Sequence, residues 1–388
     1  MKIVLLSAEY PPMPGGVGDY TRNLGTALLQ RGHDVAVLTG AGVDPDSEQK
    51  VQVVRLPLRR WNWRCWRVVR HALVDLKPDI LHIQYQTGAY GMHPAINLLP
   101  WRLRPWTNRP RIVATAHDLL PPYLFPKAGP IRDWVTQRLL LDADAAIATN
   151  EVDAALLRGW SAGRGHHVLA TIPIGANVTV APPPAYERQA WRARLGITPE
   201  MTLIAYFGLI SRSKGIDTLV QALTHLPEAF RLLVIGGEAT APHDRAFAAE
   251  VLKQIAAARL EGRVHLTGYC DEATVSAHLL ASDLAALPFV DGASFRRGSL
   301  LATLAHGVPT ITTPGAAALI DKTHVLLAPA GDAAALADAI ALLASDPTLR
   351  ARLSAGGAAL AAQFSWEEIA RRHEEVYGEV VERKEAPR

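Results

Sequence analysis

Cysteine is nearly missing from this chain. Cys65 and Cys270 stand alone among 388 residues, far apart in sequence. That spacing excludes a disulfide framework and a cysteine-rich metal cluster, so both read as packing residues. No run of about 20 apolar residues occurs, and no leader with a cleavable signal-like pattern opens the chain. The expectation is a soluble chain of the cytoplasm. Charge is also sparse, a fifth of the residues, with a net value of only +3. Acidic residues almost vanish from one stretch, because Arg59 to Arg111 holds nine Arg and one Lys against two Asp, a local charge of +8. The rest is therefore net negative. Basicity confined to one region speaks against nucleic acid as a partner.

Apolar residues make up 49% of the chain, and 388 residues suit two ordinary domains. Short Val/Ile/Leu runs alternate with helical stretches in an α/β grammar. The runs are Lys2 to Ala8, Asp34 to Gly40, Asp79 to Tyr85, Arg111 to Asp118 and Ala145 to Asn150. After the proline-rich "APPPAYE" the pattern restarts with Thr202 to Gly208, Phe230 to Gly237, Arg263 to Tyr269, Asp283 to Phe289 and Val308 to Gly315. Continuous apolar strands of this kind predict parallel sheets covered on both faces. The reading is two doubly wound Rossmann-like domains, 1–183 and 184–363.

Ligands of such sheets sit outside the carboxyl ends of the strands. Three loops there suit an anion. In the first, Gly15, Gly16 and Gly18 precede a helix expected from about Asp19 to Gln30. In the second, Arg212, Lys214 and Gly215 precede another helix. The third is "SFRRGSLLATLAHGVP", where a helix starting near Gly298 would leave the amides of Ser299, Leu300 and Leu301 unpaired beside Arg296 and Arg297. Glycine allows close backbone approach, and helix-start amides favour phosphate. A diphosphate is the expected guest. Asp19 is read either as an N-cap or as a group orienting an acceptor hydroxyl.

These stretches, together with "FGLISRSKGIDTLVQAL", "RLLVIGGE", "RVHLTGY" and "ASDLAALPF", resemble a retaining glycosyltransferase of family 4 over nearly the entire chain. The resemblance implies a GT-B fold, two Rossmann-like domains facing across a nucleotide-sugar cleft, with a C-terminal helix (364–388) crossing back to the first domain. It implies a metal-independent reaction without cofactor: a sugar moves from a nucleoside diphosphate to an acceptor hydroxyl, anomeric configuration retained. Lys214 matches the family's diphosphate lysine, and Gly16 its glycine-rich loop. The family's arginine falls on Leu209, which makes Arg212 the substitute. His117 resembles the histidine beside the transferred sugar, and Tyr269 and Cys270 lie where the base is held. One departure stands out: the family's pair of glutamates aligns with Ser294 and Ala302, neither acidic. Asp291 is the nearby hydroxyl acceptor, while Arg296, Arg297 and Ser299 suit phosphate.

Within residues 59–76 a helix would align Cys65, Trp66, Val69, Ala72, Leu73 and Leu76 on one side, with Arg60, Arg64, Arg67 and His71 on another. With residues 101–111 close behind, the first domain is expected to rest on the anionic inner face of the plasma membrane. The acceptor would then be a lipid-linked sugar or a polysaccharide. A catalytically silent sugar-nucleotide-binding partner and an epimerase or phosphorylase-like enzyme on the same fold stay open at this point.

Overall fold

The computed structural model describes residues 1–13, 15–42, 51–119, 129–162, 168–176, 178–237, 242–295, 297–316 and 318–385. The chain divides into two compact units, Met1–Gly175 with Trp366–Arg388, and Ala176–Ser365.

The first unit runs β1 (Lys2–Ser7), α1 (Gly16–Gln30), β2 (Asp34–Thr39), β3 (Gln52–Arg55), α2 (Cys65–Leu76), β4 (Ile80–Gln86), α3 (Leu99–Leu103), β5 (Arg111–Asp118), α4 (Gly129–Asp142), β6 (Ala145–Ala148), α5 (Glu151–Ser161) and β7 (Val168–Thr171). Its seven strands are parallel in the order β3-β2-β1-β4-β5-β6-β7. The chain therefore reverses direction across the sheet between β1 and β4, where Ile3 pairs with Val35 on one side and Ile80 on the other. Alternate residues of β1 serve opposite cores, because side chains in a strand alternate faces. Val4 and Leu6 pack with Cys65, Val69 and Leu73 of α2, and Ile3 and Leu5 pack with Tyr20, Leu24 and Leu28 of α1.

The second unit runs α6 (Arg188–Arg194), β8 (Thr202–Phe207), a 3-10 turn (Arg212–Lys214), α7 (Ile216–Thr224), β9 (Phe230–Ile235), α8 (Pro242–Ala257), β10 (Val264–Leu266), α9 (Glu272–Ala281), β11 (Leu284–Leu287), α10 (Gly298–Ala305), β12 (Thr310–Thr312), β13 (Leu326–Leu327), α11 (Ala333–Ser345) and α12 (Pro347–Ala362). Its six parallel strands follow β10-β9-β8-β11-β12-β13, with the reversal between β8 and β11.

The last helix, α13 (Trp366–Glu385), belongs to the first unit and packs on α1. It is polar in composition yet buries Ile369, Ala370, His373, Val376, Tyr377 and Val380, a single stripe at helical spacing. Arg31 fixes it with two hydrogen bonds to Glu374 at 2.8 and 2.7 Å, and His33 adds a third at 2.7 Å. Arg372 reaches the carbonyl of Thr171.

One sequence expectation shifts and another holds. Helix α1 starts at Gly16, three residues before Asp19, because Gly15 takes the N-cap with extended backbone. Cys65 is buried in the first core, where burial pushes its thiol up to about 12; Cys270 is half-buried, and neither is paired.

Candidate active site

In the second unit the chain leaves β8 at Gly208, whose φ of 139° lies outside the range side-chain-bearing residues favour. It turns through Arg212–Lys214 and stops at Gly215, which is left-handed at φ 65°. Only glycine fits there, since a Cβ would stand 2.0 Å from the carbonyl oxygen of Pro288, just past β11. A Cβ on Gly208 would lie 2.5 Å from Lys214 Nζ. The bare α-carbon of Gly208 is thus the floor on which the ammonium rests.

The Lys214 ammonium has no hydrogen-bonded or ion-paired partner among the described residues. Burial lowers its pKa, and the positive charge of Arg297 lowers it further. The Arg297 guanidinium is therefore close enough for its charge to be felt at the Lys214 ammonium. A desolvated ammonium without a counter-ion is costly unless an anion joins it.

Arg297 caps α10 without a side-chain cap bond. Its guanidinium lies 4.3 Å from the ring centre of Phe289 and pairs with Asp291. The helix start is narrower than the sequence suggests. The amides of Leu300 and Leu301 are taken by the Arg297 carbonyl at 3.0 and 3.4 Å, which leaves those of Gly298 and Ser299 as the helix-start donors. Ser299 is only 7% exposed, and its hydroxyl has no hydrogen-bond partner among the described residues, where buried polar groups are ordinarily paired.

Other expected residues stand elsewhere. Arg212 pairs with Glu250 of α8 at 3.0 Å and lies 4.7 Å from the ring of Phe247, so its charge is already engaged. Asp291 is held by Arg297. Tyr269 is 92% exposed, and Cys270 makes only a weak 3.7 Å contact with the Gly268 carbonyl. Ser294 accepts from the Arg297 amide through its carbonyl. Ala302 is wholly buried among Leu279 and Val308, so its position serves the core. Arg296 lies outside the described residues.

In the first unit the glycine turn closes over the end of β1. A Cβ on Gly15 would stand 2.1 Å from Glu9 Oε2, and one on Gly18 would be 3.1 Å from the Tyr10 α-carbon, whereas Gly16 faces open space. Burial raises the Glu9 pKa. The Glu9 carboxyl thus lies directly against the glycine turn that opens α1. The sequence reading missed it. Asp19 does not cap α1; it sits 3.6 Å from Arg22.

His117 closes β5 with its Nε2 2.9 Å from Gln84 Oε1, and burial drops its pKa to about 3 with the charge of His373 adding to the effect. The imidazole is neutral. Gln84 is wholly buried, and its amide nitrogen has no hydrogen-bond partner among the described residues. Polar residues at alternate positions of an otherwise apolar strand, His82, Gln84 and Gln86, were the signal for this cluster.

Two family models match the chain, the Glycosyl transferase 4-like domain over residues 15–175 and Glycosyl transferases group 1 over residues 202–346. Phosphatidyl-myo-inositol mannosyltransferase of Mycobacterium leprae is 27% identical across 97% of this chain and 96% of that enzyme. D-inositol 3-phosphate glycosyltransferase of Xylanimonas cellulosilytica is 30% identical across 64% of this chain and 60% of that enzyme, so the chain spans less than two thirds of this second relative's length. Among solved structures, HepE of Anabaena in complex with UDP superposes with a TM-score of 0.73 at 18% identity, covering 98% of this chain and 100% of that one. A glycosyltransferase from Rickettsia africae superposes with a TM-score of 0.75 at 17% identity, covering 98% of each. With one family model on each unit and a curated relative along nearly its full length, the chain belongs to glycosyltransferase family 4 and is a retaining, GT-B-fold glycosyltransferase that uses a nucleotide-sugar donor.

Proposed function

We propose that the second unit holds the donor's diphosphate between Lys214, Arg297, the amides of Gly298 and Ser299, and the Ser299 hydroxyl. The observation that carries this is the uncompensated Lys214 ammonium beside Arg297. As the glycosidic bond breaks, charge grows on the β-phosphate, and donors already aimed there stabilise it by several kcal/mol, on the order of 3 per group. The leaving phosphate takes the acceptor hydroxyl's proton on the same face. Lys214 and Arg297 supply the positive charge, so transfer is metal-independent, and activity in EDTA tests that.

Ribose recognition is thin. A carboxylate holding two hydroxyls contributes about 1.5–3 kcal/mol, and positions 294 and 302 offer none. The phosphates then dominate donor affinity, with Tyr269 left to meet the base by stacking and Asp291 tied to Arg297.

The first unit takes the acceptor, with His117 and the Gly16 turn on the sugar side and Glu9 as a hydroxyl acceptor. Around α2, Arg59, Arg60, Arg64, Arg67 and Arg70 are exposed, and Trp63 and Trp101 are 49% and 47% exposed. Arg104, Arg109 and Arg111 do not join this patch, because Asp142 and Asp144 engage them at 2.6–3.1 Å. A basic face with two open indoles suits an anionic membrane surface and a lipid-linked acceptor, and the mannosyltransferase relative is named for a phosphatidylinositol. On this reading the enzyme works at the inner face of the plasma membrane. Flotation with phosphatidylglycerol vesicles tests it; equal recovery with neutral vesicles removes it.

The donor reading is tested by Lys214→Ala. Nucleotide release from a nucleotide sugar falls at least a hundredfold, about the loss of one strong charge-assisted contact in the transition state; an unchanged rate contradicts the assignment.

A further inference from the structure

Among the described residues of the first unit, His82 and His373 are wholly buried and His117 is half-buried, and only His117 has been given a part in the reaction. His82 of β4 is wholly buried between two hydroxyls, with Nδ1 2.7 Å from Tyr377 and Nε2 2.7 Å from Thr115. His373 of α13 is also wholly buried, its ring centre 5.4 Å from that of His82. His373 Nδ1 lies 2.7 Å from the Ile369 carbonyl. A carbonyl only accepts, so Nδ1 carries the proton and Nε2 offers a lone pair. The Tyr20 hydroxyl, 3.3 Å away, donates to it.

Tyr20 also touches His117. The two rings meet edge to face with centres 4.5 Å apart and planes at 78°. On its other side Tyr20 meets Trp366, the first residue of α13, at 5.2 Å. One ring of α1 is therefore caught between α13 and the histidine that ends β5. Burying a hydroxyl and an imidazole costs free energy that a Phe and Leu pair would avoid. What the polar pair adds is direction, because a hydrogen bond fixes the tyrosine ring where packing alone leaves it free to tilt.

We propose that Tyr20 and His373 are positioning residues: α13 fixes Tyr20 through His373, and the Tyr20 ring holds the His117 imidazole at the acceptor-side site. Gln84 completes the hold, accepting from His117 Nε2 and leaving Nδ1 unprotonated. The proposal rests on the reading of His117 as a site residue. Misplacing a reacting group by about 1 Å costs on the order of a hundredfold in rate, so a tilt of this ring is felt in turnover before it is felt in stability.

The test uses the full chain and whichever of UDP-glucose, GDP-mannose or ADP-glucose raises its melting temperature most. Tyr20→Phe and His373→Ala each lower kcat about five- to tenfold with the donor KM unchanged. The double variant loses no more than either single one, since both break one link. His373→Gln, which keeps an acceptor, restores most of the rate, and ring-nitrogen NMR shows the His117 signals moving in Tyr20→Phe. Unchanged kcat in both variants, additive losses, or losses that follow the melting temperature overturn the relay. His117→Ala separates the two readings. If it abolishes turnover while Tyr20→Phe does not affect it, only the relay fails; if it leaves turnover intact, the site reading fails and the relay with it.

Discussion

Gly208 shows how one missing side chain makes room for a cation. Its α-carbon supports the Lys214 ammonium, and a methyl there would stand 2.5 Å from Nζ. Gly208→Ala should therefore push the lysine out and weaken nucleotide binding tenfold or more, while thermal melting reports a loss of about 1–3 kcal/mol from the backbone strain. Gly215→Ala should behave differently, because its new methyl meets the fixed carbonyl of Pro288 at 2.0 Å and the damage falls on folding itself. Lys214, Gly215, Arg297 and Ser299 could be picked out as candidates because turn glycines and cations in one loop have few other uses. The Glu250 partner of Arg212 and the place of Glu9 were not legible. Which carboxylate an exposed arginine finds, and which side chain folds under a glycine turn, depend on contacts between residues distant in sequence. The histidines add a pH dependence. Burial lowers the pKa of His82 well below its ordinary value and that of His373 to about 4. The unfolded chain takes up these protons near pH 6.5 and the folded chain does not, so stability drops as pH falls from about 6.5 toward 4. Melting curves between pH 7 and pH 5 check this, and His373→Gln should flatten part of the slope.

Among elements, α13 carries an unusual share of its unit. It covers the face of α1 that holds Tyr20, Leu24 and Leu28, and its buried residues complete that core. Ending the chain before Trp366 should leave the first unit insoluble, whereas Glu374→Ala, which removes the partly exposed Arg31 pair and the His33 bond, should cost about 1 kcal/mol by denaturant titration. The ten strands expected from apolar runs all form, because continuous Val/Ile/Leu segments have no other way to hide. Strands β3, β7 and β13 escaped notice. Each has four residues or fewer and sits at or near a sheet edge, where half-buried, mixed sequence leaves no periodic trace. The start of α1 was misplaced for a related reason, since Gly16 and Gly18 look like loop and act as the first helical turn.

For the whole molecule, repetition of one α/β grammar in both halves was enough to predict two sheets of the same kind, and the family matches lie one on each unit. Specificity is written more faintly. The absence of acid at Ser294 and Ala302 was visible in the sequence, but only the structure shows Ala302 turned into the core and Arg297 braced on Phe289. The central claim is that the second unit recognises a diphosphate first and the nucleoside second. Calorimetric titration with UDP tests it most directly. The account predicts that Lys214→Ala weakens UDP by about 10–100-fold, one charge-assisted contact's worth, and leaves the much weaker binding of uridine unchanged; equal UDP affinity in the native chain and the variant would contradict it.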